Sequence, residues 1–265
     1  MTDAEYAGKH RRTGAGAIPA PRWPSPPAGG PASGPASAHP QGRFLAAQVV
    51  VIAKEPVPGR VKTRLTPPFT PAQAAALAEA SLVDTLAAVA ATPVSRRVLA
   101  LEGRPGRWLP AGFDVIGQRG AGLDERIAWA LTDAQETLAV PLVLIGMDTP
   151  QVTPGLLAAA AEPLVSDTAD ATFGMAEDGG FWLLGLRKID PALVLGVPMS
   201  RPDTGSWQLL RLERAGLRVR RLPELIDVDT AAEAEHIAAA TPGSAFAACL
   251  TGLRYGSAQA TAVTR

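Results

Sequence analysis

Between residues 43 and 240 the apolar positions recur in two alternating rhythms. Ala46–Ala53 reads AAQVVVIA, a continuous apolar run of strand length that suits a strand buried on both faces. Thr70–Ala91 is Ala/Leu-rich and opens with Thr70-Pro71, an N-cap followed by proline in the first turn, so it predicts a helix. Short strands are expected at Val98–Leu101 and Phe113–Ile116, an amphipathic helix at Asp124–Leu138, and a second buried strand at Val140–Met147. Thr153-Pro154 opens a helix that runs to about Glu162. Ala171–Met175 and Phe181–Leu186 read as strands separated by Asp178-Gly179-Gly180; Asp203–Ala215, Arg218–Leu222 and Thr230–Ala240 read as helix, strand and helix. Strands alternating with helices need crossover connections, which implies a mainly parallel sheet with helices on both faces. Ligands bind such sheets beyond the carboxyl ends of the strands, so the residues just after strands are the place to look for chemistry.

The ends break this rhythm. Residues 1–42 carry prolines at 19, 21, 24, 26, 27, 31, 35 and 40 among Gly, Ala and Ser, with Trp23 as an isolated aromatic. Such a stretch buries too little apolar surface to offset its ordering entropy, so a disordered or polyproline-like tail is expected. From about Thr241 the chain is rich in Ala, Gly, Ser and Thr and is expected to hold at most a short helix around Phe246–Leu253. The expected organisation is a tail over 1–42, one domain over 43–240, and a second tail over 241–265.

Composition removes several function classes. Lys plus Arg number 25 and Asp plus Glu number 25, so the chain lacks the broad basic field of a nonspecific nucleic-acid binder. The single cysteine, Cys249, excludes an internal disulfide and a cysteine-based zinc site. The longest apolar run near the middle, Ala139–Met147, is about half of a membrane span. Arg11-Arg12 is followed by a Gly/Ala/Pro stretch too weakly apolar for a twin-arginine signal, so a cytoplasmic protein is expected, free of membrane and nucleic-acid partners. His10, His39 and His236 assemble no histidine-based metal site or nucleophile triad.

Four segments carry candidate chemistry. After the first strand, Lys54, Gly59, Arg60, Lys62 and Arg64 lie on a Pro/Gly-stiffened loop; several cationic donors suit a diphosphate, although a solvated basic loop has the same look. At the end of the most apolar strand, Asp148 of Gly146-Met147-Asp148-Thr149-Pro150 either holds a hard cation such as Mg²⁺ or Mn²⁺ or organises the turn before the next helix. In Asp227-Val228-Asp229-Thr230, alternation points both carboxylates to one side, where their repulsion favours a metal. The competing reading there is a helix cap, because Thr230 and Glu233 have capping-box spacing. The fourth segment, Glu177 to Trp182, is either a plain hairpin turn or a close approach to ligand, with Asp178 as hydroxyl acceptor or general base. Trp207, on the Asp203 helix, reads as a core residue in preference to a sugar-stacking platform.

Taken in order, AKEPVPGRVKTRL, GQRGAGLDERIAWA, LIGMDTPQVTP, EDGGFWLLGL and IDVDTAAEAEHI resemble the bacterial glycosyltransferase-A-type DUF2064 proteins, over about residues 46 to 240. That resemblance implies the nucleotide-diphospho-sugar transferase fold, a Rossmann-like three-layer α/β/α arrangement with a divalent metal and a nucleotide-linked substrate. It puts Asp148 in the place of the metal-binding Asp after the central strand and makes Asp227 and Asp229 the distal acidic ligands. Lys54, Gly59, Arg60, Lys62 and Arg64 fall on its phosphate loop, Arg126 matches its arginine, and Asp178-Gly179-Gly180 with Trp207 lie on the acceptor or sugar side. Two departures stand out: Gly120-Ala121-Gly122-Leu123-Asp124-Glu125 replaces a Gly-Asp-Leu-Gly-like sequence, and a single Asp148 replaces the Asp-x-Asp of many glycosyltransferases.

The implied activity is metal-dependent transfer of a sugar from a nucleotide-diphospho-sugar to a small acceptor, with Asp178 and Lys62 as catalytic groups. The alternative on the same scaffold is nucleotidyl transfer from an NTP to a phosphorylated acceptor with release of pyrophosphate, as in 2-phospho-lactate guanylyltransferases. A third reading is a scaffold without turnover that uses the Pro-rich tail for interaction.

Overall fold

The computed structural model describes residues 43–263, with side chains described as far as Arg254; the expectations for residues 1–42, Trp23 included, lie outside them. Seven strands form one sheet: β1 (Leu45–Lys54), β2 (Val94–Glu102), β3 (Asp114–Gly117), β4 (Leu142–Ile145), β5 (Ala171–Met175), β6 (Phe181–Leu186) and β7 (Val219–Arg221). Their order is β3-β2-β1-β4-β6-β5-β7, parallel throughout except for β6, which runs antiparallel to both β4 and β5. This is the expected Rossmann-like α/β fold. The chain adds strands on one side of β1 and then returns to add β4 on the other, so the topology switches between β1 and β4. A cleft opens at the carboxyl ends of those two strands.

Among the described residues there are six α-helices: α1 (Pro71–Ala91), α2 (Leu123–Thr137), α3 (Pro154–Val165), α4 (Thr204–Arg214), α5 (Ala231–Ala240) and α6 (Ala245–Val263). Alternation along β1 divides the core. Val49 and Val51 face α1 and α3, packing on Leu82, Leu86 and Leu157. Val50 faces α2 and α4, packing in the cluster of Ile127, Leu131 and Leu212. The predicted starts of α1 and α3 hold: Thr70 Oγ1 accepts from Gln73 N and Thr153 Oγ1 from Leu156 N, each with proline in the first turn. By length and composition α1 is apolar enough to cross a membrane, but most of its apolar stretch is buried inside this domain.

Three expectations need correction. The central strand β4 stops at Ile145, ahead of the expected Met147, because Gly146 leaves the sheet to begin the turn. Trp207 is not core: it is 45% exposed on α4, with Nε1 donating to Asp203 Oδ2 at 3.1 Å. The region after 240 is not a tail with a short helix. α6 is 19 residues long, and Phe246 and Leu250 are buried with Leu77 of α1 and Ile237 of α5. Asp84 of α1 accepts from Ala245 N and Phe246 N at 2.9 and 2.8 Å, so a carboxylate remote in sequence satisfies the first turn of α6.

Candidate active site

The cleft at the switch point has a volume of about 550 Å³. Its cationic wall is Lys54 at the end of β1 with Arg60, Lys62 and Arg64 of the segment that follows. Its acidic wall comes from three separate turns: Asp148 after β4, Asp178 between β5 and β6, and Asp227 with Asp229 before α5. The first and last of these are tied together, since Val228 N donates to Asp148 O at 3.0 Å and Gln151 Nε2 donates to Ile226 O at 2.6 Å. Residues 79 positions apart in sequence, Asp148 and Asp227, thereby share one wall.

The capping question at Asp229 is resolved by geometry. Thr230 is the N-cap of α5, accepting from Glu233 N, and the Glu233 carboxylate accepts from both Asp229 N and Thr230 N. The Asp229 side chain takes no part in the cap. It faces the basic loop instead: Lys62 Nζ lies 2.9 Å from Asp229 Oδ1 and 2.9 Å from Asp148 Oδ2, and Arg64 donates to Asp229 Oδ2 at 2.9 Å. Lys62 is therefore no solvated loop residue. Its side chain is 11% exposed, and its backbone is held at φ 46°, in the left-handed region that a residue with a Cβ rarely adopts.

Burial alone would discharge Lys62, but the carboxylates of Asp148 and Asp229 overcome it and raise its pKa above the ordinary value. Asp229 is partly buried too, yet Lys62 and Arg64 hold its carboxyl below the usual range. Asp227 goes the other way. Burial, reinforced by the charges of Asp148 and Asp178, outweighs Lys62 and pushes its carboxyl up to about 8. Its Oδ1 is buried with no hydrogen-bond partner among the described residues.

The donor chemistry around Asp227 suits a hard divalent cation: carboxylate oxygens, one of them orphaned, with unrelieved negative charge. In this arrangement, however, no three acidic, histidine or cysteine side chains among the described residues converge at metal-ligand spacing. The ammonium of Lys62 stands between Asp148 and Asp229.

The turn between β5 and β6 is built on close approach. Gly179 has φ 87°, and a Cβ there would lie 1.8 Å from Pro202 O, while Gly205 N donates to Gly179 O at 2.8 Å. The turn is thereby pressed against the start of α4, and this brings Met199, Arg201 and Pro202 to the cleft, residues the sequence reading missed. Asp178 Oδ1 accepts from Gly180 N at 2.7 Å, so one of its oxygens organises its own turn and the other is left for chemistry. Four predicted residues do not line the cleft: Gly59, Gly179, Arg126 and Trp207. Arg126 pairs with Glu102, which also pairs with Lys54 at 3.5 Å, so Arg126 reaches the cleft residue Lys54 through that carboxylate. Gln118 was also missed. It follows β3, lines the cleft, and donates through Nε2 to Ala53 O and Ala100 O at 2.7 and 2.9 Å; its place after a strand end was the available signal.

The chain resembles several known proteins. The family model described as "Uncharacterized protein conserved in bacteria (DUF2064)" matches residues 75–201, a stretch that includes Asp148 and Asp178 and bears out the resemblance read from the motifs. No curated protein matches the chain. Among solved structures, a "putative nucleotide-diphospho-sugar transferase" from Desulfovibrio desulfuricans G20 is 27% identical with a TM-score of 0.72, over 81% of this chain and 96% of that one. The 2-C-methyl-D-erythritol 4-phosphate cytidylyltransferase of Thermus thermophilus is more distant, at 16% identity and a TM-score of 0.45 over 75% and 99% of the two chains.

Proposed function

We propose, from the DUF2064 match and the cleft together, that the protein is a transferase that moves a sugar from a nucleotide-diphospho-sugar to a small-molecule acceptor. The observation that carries this reading is the convergence of Lys54, Arg60, Lys62 and Arg64 with Asp148, Asp178, Asp227 and Asp229 in one cleft at the switch point of the sheet. The name of the Desulfovibrio desulfuricans protein, similar over most of both chains, points the same way.

In this reading Arg60 and Arg64 grip the diphosphate as planar forks, and Lys62 adds a point charge. These groups matter most as the sugar–phosphate bond breaks, because negative charge then grows on the departing diphosphate. Asp178, with Oδ2 left over from its turn, takes the proton of the acceptor hydroxyl. A divalent cation, held by Asp148, Asp227 and Asp229, would add Lewis-acid neutralisation of the diphosphate.

The test is a panel of nucleotide-sugars and NTPs with Mg²⁺ or Mn²⁺ and candidate acceptors, read for free nucleoside diphosphate against pyrophosphate. Free diphosphate from a nucleotide-sugar is the expected result, and pyrophosphate from an NTP would replace glycosyl by nucleotidyl transfer. Asp148→Ala is expected to abolish turnover while the fold is kept, at some cost in melting temperature from the lost Lys62 pair; full turnover by that variant removes Asp148 from the mechanism.

A further inference from the structure

Two of the four cleft carboxylates, Asp148 and Asp229, already hold cations of the same chain. Asp229 spends both oxygens on cations, Oδ1 on Lys62 and Oδ2 on Arg64, and Asp148 spends Oδ2 on Lys62. What remains for an ion is Asp227, with its orphaned Oδ1, and the second oxygen of Asp148, a set that suits a cation taking its other ligands from water and substrate phosphate. An ammonium at this spot also repels any second cation a few ångströms away, and the low exposure of Lys62 weakens solvent screening of that repulsion.

We infer that Lys62 is a built-in occupant of the cation position, and that a divalent ion enters only with, or after, a diphosphate that draws the ammonium away. The inference rests on reading this cleft as a diphosphate site. Two features make Lys62 a displaceable plug. Its charge sits on a flexible four-carbon stem, so Nζ can change partners with little backbone motion. Arg64, which takes the other oxygen of Asp229, lies on the same loop and is 72% exposed, ready to turn to the same phosphate. A diphosphate offers both side chains anionic oxygens, and the carboxylates they leave become the donors an ion needs. Linkage then makes the effect reciprocal: each ligand strengthens the other.

The experiment measures Mn²⁺ binding to the full chain by the paramagnetic resonance of free Mn²⁺. Wild type is compared with Lys62→Asn and Lys62→Gly, with and without a saturating nucleoside diphosphate taken from GDP, UDP, CDP and ADP by calorimetry. Both substitutes tolerate the left-handed backbone, so the loop keeps its course without the ammonium, and melting verifies the fold. Without nucleotide, both variants are expected to bind Mn²⁺ about tenfold or more tighter than wild type. Nucleotide is expected to tighten Mn²⁺ binding about tenfold in wild type and far less in the variants. Equal Mn²⁺ affinity of wild type and both variants without nucleotide overturns the inference, while nucleotide binding in the same experiment leaves the transferase reading standing. If no diphosphate binds wild type while the variants do bind Mn²⁺ tightly, the diphosphate reading fails and the competition between ammonium and ion stands.

Discussion

Asp227 and Lys62 are opposite answers to one problem, a charge taken out of water. Lys62 keeps its proton because two carboxylates touch it, whereas Asp227 has like charges for neighbours and an oxygen without a donor. The consequence is a pH dependence with a definite sign. Asp227 has a folded-state pKa of about 8, above the carboxylate value of the unfolded chain, so the folded protein binds the extra proton across the interval between them. Its contribution to stability is complete below the unfolded value and is lost as pH rises through about 8. Asp227→Asn, which cannot ionise, is expected to raise the melting temperature at pH 9 by about 2–4 °C and to change it little at pH 4. Thermal scans of both proteins across that range, without divalent ions, check this; an equal difference at all pH values would mean that Asp227 is not the titrating group. Asp229 has the reverse sign, since its lowered pKa makes the Lys62 and Arg64 pairs a source of stability that is lost as pH falls through the acid range.

At the scale of elements, the site depends on where turns are pinned. The turn between β5 and β6 carries Asp178, and Gly179 lets it lie against Pro202 at the start of α4. Gly179→Ala asks for a Cβ both in the left-handed region and inside the Pro202 carbonyl. A loss of about 2–3 kcal/mol in denaturant unfolding is expected, with a further loss of turnover as Asp178 shifts. An unperturbed midpoint would show that the turn is free to move. Local signals of this kind were legible in the chain: the apolar run of β1, the Thr-Pro starts of α1 and α3, and the double glycine all carry their physics within a few residues. The four cleft-forming segments were legible for the same reason, because each follows a strand. Pairing between segments was not. Spacing shows that Asp229 has a capping-box neighbour, but only the fold shows Glu233 satisfying the cap and leaving Asp229 to Lys62. Met199, Arg201 and Pro202 escaped notice because the β5–β6 turn brings them to the cleft, and no local pattern records that.

The two ends of the chain are both rich in small residues but differ in how their apolar residues are spaced. Residues 241–265 are rich in small residues, but Phe246, Leu250 and Leu253 recur at helical spacing and form one apolar stripe. That stripe covers Leu77 and Ala80 of α1, and its helix start is satisfied by Asp84 of the same helix. Without α6, the outer face of α1 loses its apolar cover and Asp84 its two N–H donors. Removal of 241–265 is therefore expected to lower the melting temperature strongly or to leave the protein insoluble. Residues 1–42 carry no comparable stripe, only prolines spaced among Gly, Ala and Ser, and the residues assigned to the cleft lie between Ile52 and Asp229. A chain beginning at Arg43 is accordingly expected to melt with the full-length protein and to bind nucleotide with the same affinity by calorimetry. Lys9, Arg11 and Arg12 are the counter-argument, since three cations near the N-terminus are also suited to a phosphate. A fall in nucleotide affinity at unchanged melting temperature would assign them to the site and move its boundary to the start of the chain; a fall in both would show that the fold itself extends there.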